Sequence, residues 1–493
     1  MDAVTSVLLS AVIILLSYGF YLLRKHLRFF ADLNIPHIPA SFDLIDKTTH
    51  PAKQFQKWYR QFKGQHPLAG ILMVIKPIAI PLDLELIKCI LVKDFQYFQN
   101  RGMYYNEKDD PLSAHLFSLE GAKWRNLRSK ISPTFTSGKM KMMYPTMVAA
   151  GNQFREYLNE KATLESEFEM RDLLARFTTD IIGTCAFGIE CNSMQEPNSK
   201  FREMSRKHFE TRRNDLKDLF KMTFPNFARF LGITEILPDV SEFFMNVVKS
   251  TIEYRVKNKV SRNDFMDLCI GMLEGQSPGS DQLTINEIAA QAYVFFIAGF
   301  ETSSTTMTWA LYELSRNLDI QEKGRKCVQE TLEKHNGVMS YEAIMEMTYI
   351  DQIINETLRL YPPVPLHFRV ATKDYHVPNT DTVLPAGTAT MIPVYAIHRD
   401  EEIFPEPEKF DPNRFCPEEV SKRHPYAWTP FGEGPRICIG VRFGMMQARI
   451  GLVLLLNNFR FSPGPNSSGE MEFVTHNFIL TPKQGLWLKV EKI

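Results

Sequence analysis

The segment richest in potential chemistry is 429–440, TPFGEGPRICIG. Of the seven cysteines, only Cys438 lies in backbone so heavily punctuated by glycine and proline. It directly precedes a long apolar run that reads as a helix. A cysteine ahead of a helix feels the positive end of the helix dipole, which favours thiolate over thiol. Gly432, Gly434 and Gly440 are expected to allow turns closed to other residues and to let a flat group approach. Pro435 stiffens the loop. Backbone N–H groups aimed at the sulfur would temper its charge. Arg436 supplies a cation for a carboxylate of whatever binds. Haem meets these requirements, with iron on the sulfur and a propionate on the arginine. A bare G-x-C-x-G is more often a helix start with a buried cysteine. The full pattern Phe431-x-x-Gly434-x-Arg436-x-Cys438-x-Gly440 arises by chance on the order of once in ten million positions.

Three further constellations carry chemistry. Ala298-Gly299-Phe300-Glu301-Thr302 falls inside a long apolar helical pattern. A glycine there costs about 1 kcal/mol against alanine, so Gly299 asks for a reason, and a groove is the expected one. Thr302 can bond the carbonyl of Ala298 and bend the helix. Hydroxyl, backbone and the Glu301 carboxylate then form the donors and acceptors of a proton relay. The plainer reading is a threonine satisfied in a core helix. Glu356-x-x-Arg359 places opposite charges on one helical face, most often a solvated pair. Trp124-x-x-x-Arg128 shares one helix face, and by itself reads equally as a core-edge tryptophan with a snorkelling arginine.

Taken together, these segments resemble the cytochromes P-450, from about residue 50 to the end of the chain. The resemblance implies a mainly α fold with a minor β region, a helical body holding haem b between a long central helix and the cysteine loop. It implies Cys438 as the iron ligand, with Phe431, Gly432, Ala298 and Gly299 against the cofactor. Arg436, Trp124, Arg128 and Arg369 would meet the propionates. Thr302 and Glu301 would serve oxygen activation and proton delivery. Glu356, Arg359 and Arg414 (in Pro412-Asn413-Arg414-Phe415) would form a buried structural network behind the loop. The substrate pocket is expected at the 101–119 loop with Phe117, at Phe295, Phe296, Val364 and Leu366, and at Phe478 and Ile479. SPTFTSGKMKMM and the general layout resemble the microsomal, xenobiotic-metabolising branch best known from insects. The implied reaction uses O2 and NADPH-derived electrons to hydroxylate or epoxidise lipophilic small molecules such as xenobiotics, insecticides, plant toxins or endogenous lipids and hormones. Electrons would come from NADPH-cytochrome P-450 reductase, with cytochrome b5 as a second donor, because the chain carries no G-x-G-x-x-G fingerprint. Arg125, Lys130, Lys139, Lys141 and Arg442 could form a basic patch for such a partner. The alternatives are a haem-thiolate isomerase or dehydratase that needs no reductase, and a non-catalytic haem protein. The Glu301-Thr302 pair argues against both.

The elements that must position these residues are also legible. The 493 residues are 44% hydrophobic and 23% charged, enough for a sizeable core. Lys plus Arg equals Asp plus Glu, 57 each, which gives no electrostatic case for nucleic acid. No cysteine pair has CxxC spacing, and the scattered thiols suit a reducing compartment. Val4 to Leu23 has no charge, and Arg24, Lys25 and Arg28 follow at once. Twenty residues cross a hydrocarbon core of about 30 Å. A cleaved signal would have a shorter apolar region with basic residues before it. The expectation is therefore an anchor with its basic stop over 1–30, a proline-containing linker over 31–50, and a catalytic haem domain over 51–493 facing the cytosol from the endoplasmic reticulum membrane. Residues 70–90 read as two short strands running into a helix. Thr284 and Glu287 match a capping box at the start of a helix about thirty residues long. Residues 340–361 read as one helix stopped by Pro362 and Pro363, and the final FILTPKQGLWLKV as a strand pair.

Overall fold

The capping box at Thr284 is formed. In the computed structural model its hydroxyl accepts from Glu287 N–H at 3.2 Å, and the Glu287 carboxylate accepts from Thr284 N–H at 2.8 Å. The structure describes residues 3–39, 48–73, 76–211, 215–262, 264–273, 282–467, 469 and 471–493. From this cap one helix runs from Ile285 to Arg316 without a proline, 32 residues long and buried over most of its surface. It packs against the helices Met170–Ile182 and Val441–Asn458. Close approach to the latter needs Gly451, where a Cβ would collide with Met307 Sδ. Near its C-terminal end Trp309 is fully buried, stacks on Tyr361 at 4.2 Å and donates Nε1–H to the Leu480 carbonyl at 2.6 Å.

The chain divides into two compact units. The larger, Met103–Pro365 with Ile397–Ile493, is the helical one and contains the central helix. The expected single helix over 340–361 is two, Tyr341–Glu346 and Thr348–Leu360, interrupted at Met347, whose backbone (φ −77°, ψ 65°) leaves the helical region. The C-terminal strand Trp487–Lys492 pairs antiparallel with Phe459–Pro463 and with Glu167–Glu169, rather than with the neighbouring 478–482.

The smaller unit is Met1–Gly102 with Leu366–Ala396. It carries a five-stranded sheet in the order His37–Ile38, Leu68–Met73, Lys76–Pro81, Ala389–Ile392, His367–Val370. The strand pair and following helix expected over 70–90 are present, the helix spanning Leu84–Lys88 with Asp83 accepting from Leu86 N–H. The prolines after residue 35 do not make a free linker. Residues 37 and 38 join the sheet parallel to Gly70 and Ile71, because a proline-flanked dipeptide is already extended. Residues 40–47 of the expected linker lie outside the described residues. The N-terminal helix spans Ala3–Leu27. Among the described residues, no helix is long and apolar enough to cross a membrane. Arg369 and Leu366 belong to this unit and are buried. Arg369 donates to the Phe368 carbonyl at 2.7 Å, and its Nε has no acceptor among the described residues. Burial without a carboxylate pushes its guanidinium down to about 10.

Candidate active site

Gly432 (φ +73°) and Gly434 (φ +71°) occupy the left-handed region, where a side chain would be strained. Gly440 does not. At φ −91° it is the residue before the helix Val441–Asn458, so a left-handed turn is not its reason for being glycine. Cys438 N–H donates to the Phe431 carbonyl at 2.9 Å and closes the loop. This holds Cys438 exposed, whereas Cys185, Cys191 and Cys269 are buried. Burial pushes Cys185 and Cys191 up to about 12 and raises Cys269 as well, so these thiols stay protonated and inert.

The helix Gly121–Ile131 brings both its expected residues to this loop. Trp124 is buried, and the Arg436 guanidinium lies 3.9 Å above its ring. Arg436 also donates to the carbonyls of Leu116 (3.3 Å) and Leu119 (2.7 Å). The sequence reading missed this role: the arginine clamps the 111–119 loop to the cysteine loop. Arg128 is half-buried, and among the described residues no carboxylate pairs with it. Burial lowers its pKa, while the charge of Cys438 acts the other way. By reciprocity, Arg128 favours the thiolate.

On the central helix, Val294, Ala298 and Thr302, four apart on one face, are left open in an otherwise buried stretch, and Gly299 beside them is half-buried. Ala298 is exposed, and Thr302 Oγ1 donates to its carbonyl at 2.6 Å, as the spacing predicts. Val294 was missed, although the same i, i+4 arithmetic would have found it. Gly299, expected to open a groove, also lies against a neighbouring helix. A Cβ there would stand 2.9 Å from Ile182 Cδ1, so the glycine admits the neighbouring helix. Glu301 is buried, with Arg171 3.5 Å from its carboxylate. Two expected pocket residues turn instead into the core. Phe296 is fully buried among Phe187, Phe201, Phe244 and Phe300, and Phe295 packs on Phe135 and Phe265. Their neighbours on the helix, not they, face open space. Phe117 and Val364 are half-buried, Phe478 is exposed and Ile479 is buried.

Glu356 and Arg359 are both completely buried and joined in a bidentate pair at 2.7 and 2.8 Å. Arg359 further donates to the carbonyls of His398, Pro407 and Lys409. Glu356 also accepts from Asp411 N–H at 2.8 Å. Arg414 is the looser arm, 3.5 Å from Glu356, its other donor reaching the Glu406 carbonyl. The link from this network to the cysteine loop is His398, which sequence reasoning missed. Its Nδ1 lies 3.2 Å from the Arg359 carbonyl, and its Nε2 accepts from Thr429 N–H at 3.0 Å. That pattern describes a neutral imidazole with the proton on Nδ1.

An exposed sulfur beside an uncompensated arginine, near an aromatic-backed cation, fits a thiolate-ligated cofactor that carries carboxylates. The comparisons decide the family. The cytochrome P450 family model matches residues 36–489. The chain belongs to the cytochrome P450 family. It is 44% identical to cytochrome P450 6a8 of Drosophila melanogaster over the whole of both chains. It is 45% identical to cytochrome P450 6A1 of Musca domestica over 99% of this chain and 98% of that one. This cytochrome P450 is thus a monooxygenase, with the haem cofactor, oxygen use, redox partner and substrate that membership entails.

Proposed function

We propose that this cytochrome P450 hydroxylates or epoxidises lipophilic small molecules, xenobiotics among them, using haem b and electrons from NADPH through NADPH-cytochrome P-450 reductase, with cytochrome b5 as an auxiliary donor. The observation that carries the reading is Cys438: one thiol of seven, held exposed in the signature loop with Arg128 favouring its ionised form. Haem bound through a thiolate supplies oxygen activation, the sulfur pushing electron density toward O–O cleavage.

The chain's own residues do the rest. Arg128, Trp124 and Arg436 receive propionates, and the uncompensated charge of Arg369 suits the same kind of partner. Thr302 commits its hydroxyl proton to the Ala298 carbonyl. Its lone pairs on the open face therefore accept from a water or another O–H, which holds a proton source in place. Glu301, associated with Arg171, relays protons toward Thr302 by rotation. Val294 and Ala298 form the apolar wall beside them. Glu356, Arg359 and Arg414, with His398, fix the loop and touch no substrate.

We further propose that residues 1–30 anchor the protein in the endoplasmic reticulum membrane and that 51–493 form the catalytic domain in the cytosol. Leu9, Ile13 and Leu16 are exposed on an unbroken helix that ends in Arg24, Lys25 and His26. Phe224, Phe227 and Phe230 form a second exposed apolar patch of the kind a membrane or partner covers. Arg125 and Arg442 are exposed cations for an acidic reductase surface, and Lys141 pairs with Glu342. The test is turnover of a lipophilic substrate panel by purified holoprotein with reductase and NADPH. Oxygenated product dependent on both supports the reading. Rearranged peroxide formed without reductase would make it an isomerase instead.

A further inference from the structure

Trp309 stands seven residues past Thr302, about two turns on and over the same face of the central helix. Its ring lies flat on Tyr361, with 4.2 Å between centroids and 4° between planes. Tyr312 and Phe473 meet the indole edge-on, each at 5.5 Å. The Tyr361 hydroxyl donates to Glu313 Oε1 at 2.6 Å. The other carboxylate oxygen accepts from Asn317 Nδ2 at 3.4 Å. Trp309, Tyr312 and Glu313 share the central helix, and Tyr361 caps the helix Thr348–Leu360.

Packing alone does not ask for this chemistry. A phenylalanine would stack on Trp309 as well, and a glutamine would accept the hydroxyl without burying a charge. The carboxylate costs the fold something: burial raises its pKa, against the Tyr361 hydrogen bond and the charges of Arg316 and Arg399, while Glu356 adds to the rise. Glu313 is therefore a stronger base than an exposed carboxylate. Burial raises the Tyr361 phenol too, and the Glu313 charge adds to it, so Tyr361 keeps its proton as long as it keeps its electrons. Loss of one electron reverses this, because an oxidised phenol is a strong acid. A tyrosine in a dry site is readily oxidised only where a base within hydrogen-bond reach takes that proton. Glu313 is such a base, and the flat overlap of indole and phenol lets an electron pass between them.

We propose that Trp309 and Tyr361, with Glu313 as proton acceptor, form an electron-donating relay that drains oxidising equivalents stranded at the haem when no substrate is in place. Trp309 gives up one electron and regains it from Tyr361. The Tyr361 O–H bond breaks, its proton moves to Glu313 Oε1, and a neutral phenoxyl radical remains. One electron from a small reductant of the ascorbate or thiol class, arriving at the half-buried Tyr361, restores the phenol as Glu313 returns the proton. The oxygenase activity supplies the oxidant, and each passage reduces it by one electron. Substrate oxidation does not use this route.

Freeze-quench electron paramagnetic resonance tests it. Ferric holoprotein is mixed with peracetic acid, which delivers oxidising equivalents without reductase or substrate. The parent should show a tyrosyl radical. Tyr361→Phe, which keeps the stack, and Glu313→Gln, which keeps an acceptor for the phenol, should each show it several-fold weaker. Tyr157→Phe, on the helix Ser137–Lys161 outside the cluster, should leave it at parental strength. In the same mixtures Tyr361→Phe should lose its Soret absorbance several-fold faster than the parent. A parental radical signal in Tyr361→Phe overturns the proposal, and so does a parent that forms no tyrosyl radical. A parental signal in Glu313→Gln removes the carboxylate as proton acceptor and overturns the relay as drawn. Equal Soret loss in parent and Tyr361→Phe would mean that the radical drains nothing, and overturns it as well.

Discussion

Replacing Glu356 by alanine removes the one carboxylate at the centre of the buried network. Arg359 then loses acceptors at 2.7 and 2.8 Å, and Asp411 N–H loses its acceptor at 2.8 Å. The guanidinium cannot reach water, because it is completely buried. Breaking a buried ion pair from one side costs about 3–5 kcal/mol. The three carbonyls that still accept from Arg359, at 2.9, 2.7 and 3.2 Å, pull the figure to the lower end. The stranded Asp411 N–H adds about 1 kcal/mol or more. The expected loss is about 4 kcal/mol, close to a thousandfold in the folding equilibrium. That is a large share of the roughly 5–15 kcal/mol that holds a domain together. Because His398 ties Arg359 to Thr429, the damage should reach the cysteine loop. Haem per chain after purification, with the urea midpoint of the same preparation, measures both effects. Glu356→Gln, which keeps an acceptor for Asp411, should fall between. Wild-type haem content and midpoint in Glu356→Ala would refute the reasoning.

Three further outcomes are expected. Thr302→Ala should leave stability within about 0.5 kcal/mol, since the side chain is half-exposed and bonded only locally, but should raise peroxide released per NADPH consumed; full coupling would remove Thr302 from proton delivery. His398→Phe should cost about 1–3 kcal/mol by stranding Thr429 N–H and should lower haem retention; unchanged retention would mean that the network and the loop are independent. Burial raises the carboxyl pKa of Glu313, against the lowering effect of the Tyr361 hydroxyl bonded to it at 2.6 Å. A carboxyl raised in the folded state contributes stability that is present below its unfolded pKa and lost as pH rises through the folded value. Glu313→Gln should therefore be at least as stable as the parent at pH 7, with the gap closing toward about pH 4.5 in thermal unfolding. A less stable variant with a pH-independent gap would contradict this.

What the sequence disclosed follows from how local each signal is. The Thr284 cap, the Thr302 bond to Ala298 and the Glu356–Arg359 pair are set within three or four residues, and each forms as the spacing predicts. The pair of strands and the helix over 70–90 are equally local. The contact that Gly299 admits was hidden because its neighbour, Ile182, comes from another helix. Phe295 and Phe296 failed because helix phase, not aromatic content, decides which side faces open space, and that phase is set by Ala298 and Thr302. His398 and the loop-clamping role of Arg436 were hidden for the same reason: their partners lie 31 and 39, and 317 and 320, residues away. Residues 37 and 38, likewise, look like linker until Gly70 and Ile71 offer them an edge.

The central claim is that Cys438 is the thiolate that holds the haem iron. The reduced carbon monoxide complex reads this directly, because its Soret band reports the ligand opposite the gas. The parent protein should give the red-shifted, thiolate-type band, and Cys438→Ala should lose it while Cys416→Ala keeps it. An unchanged thiolate-type band in Cys438→Ala would contradict the account.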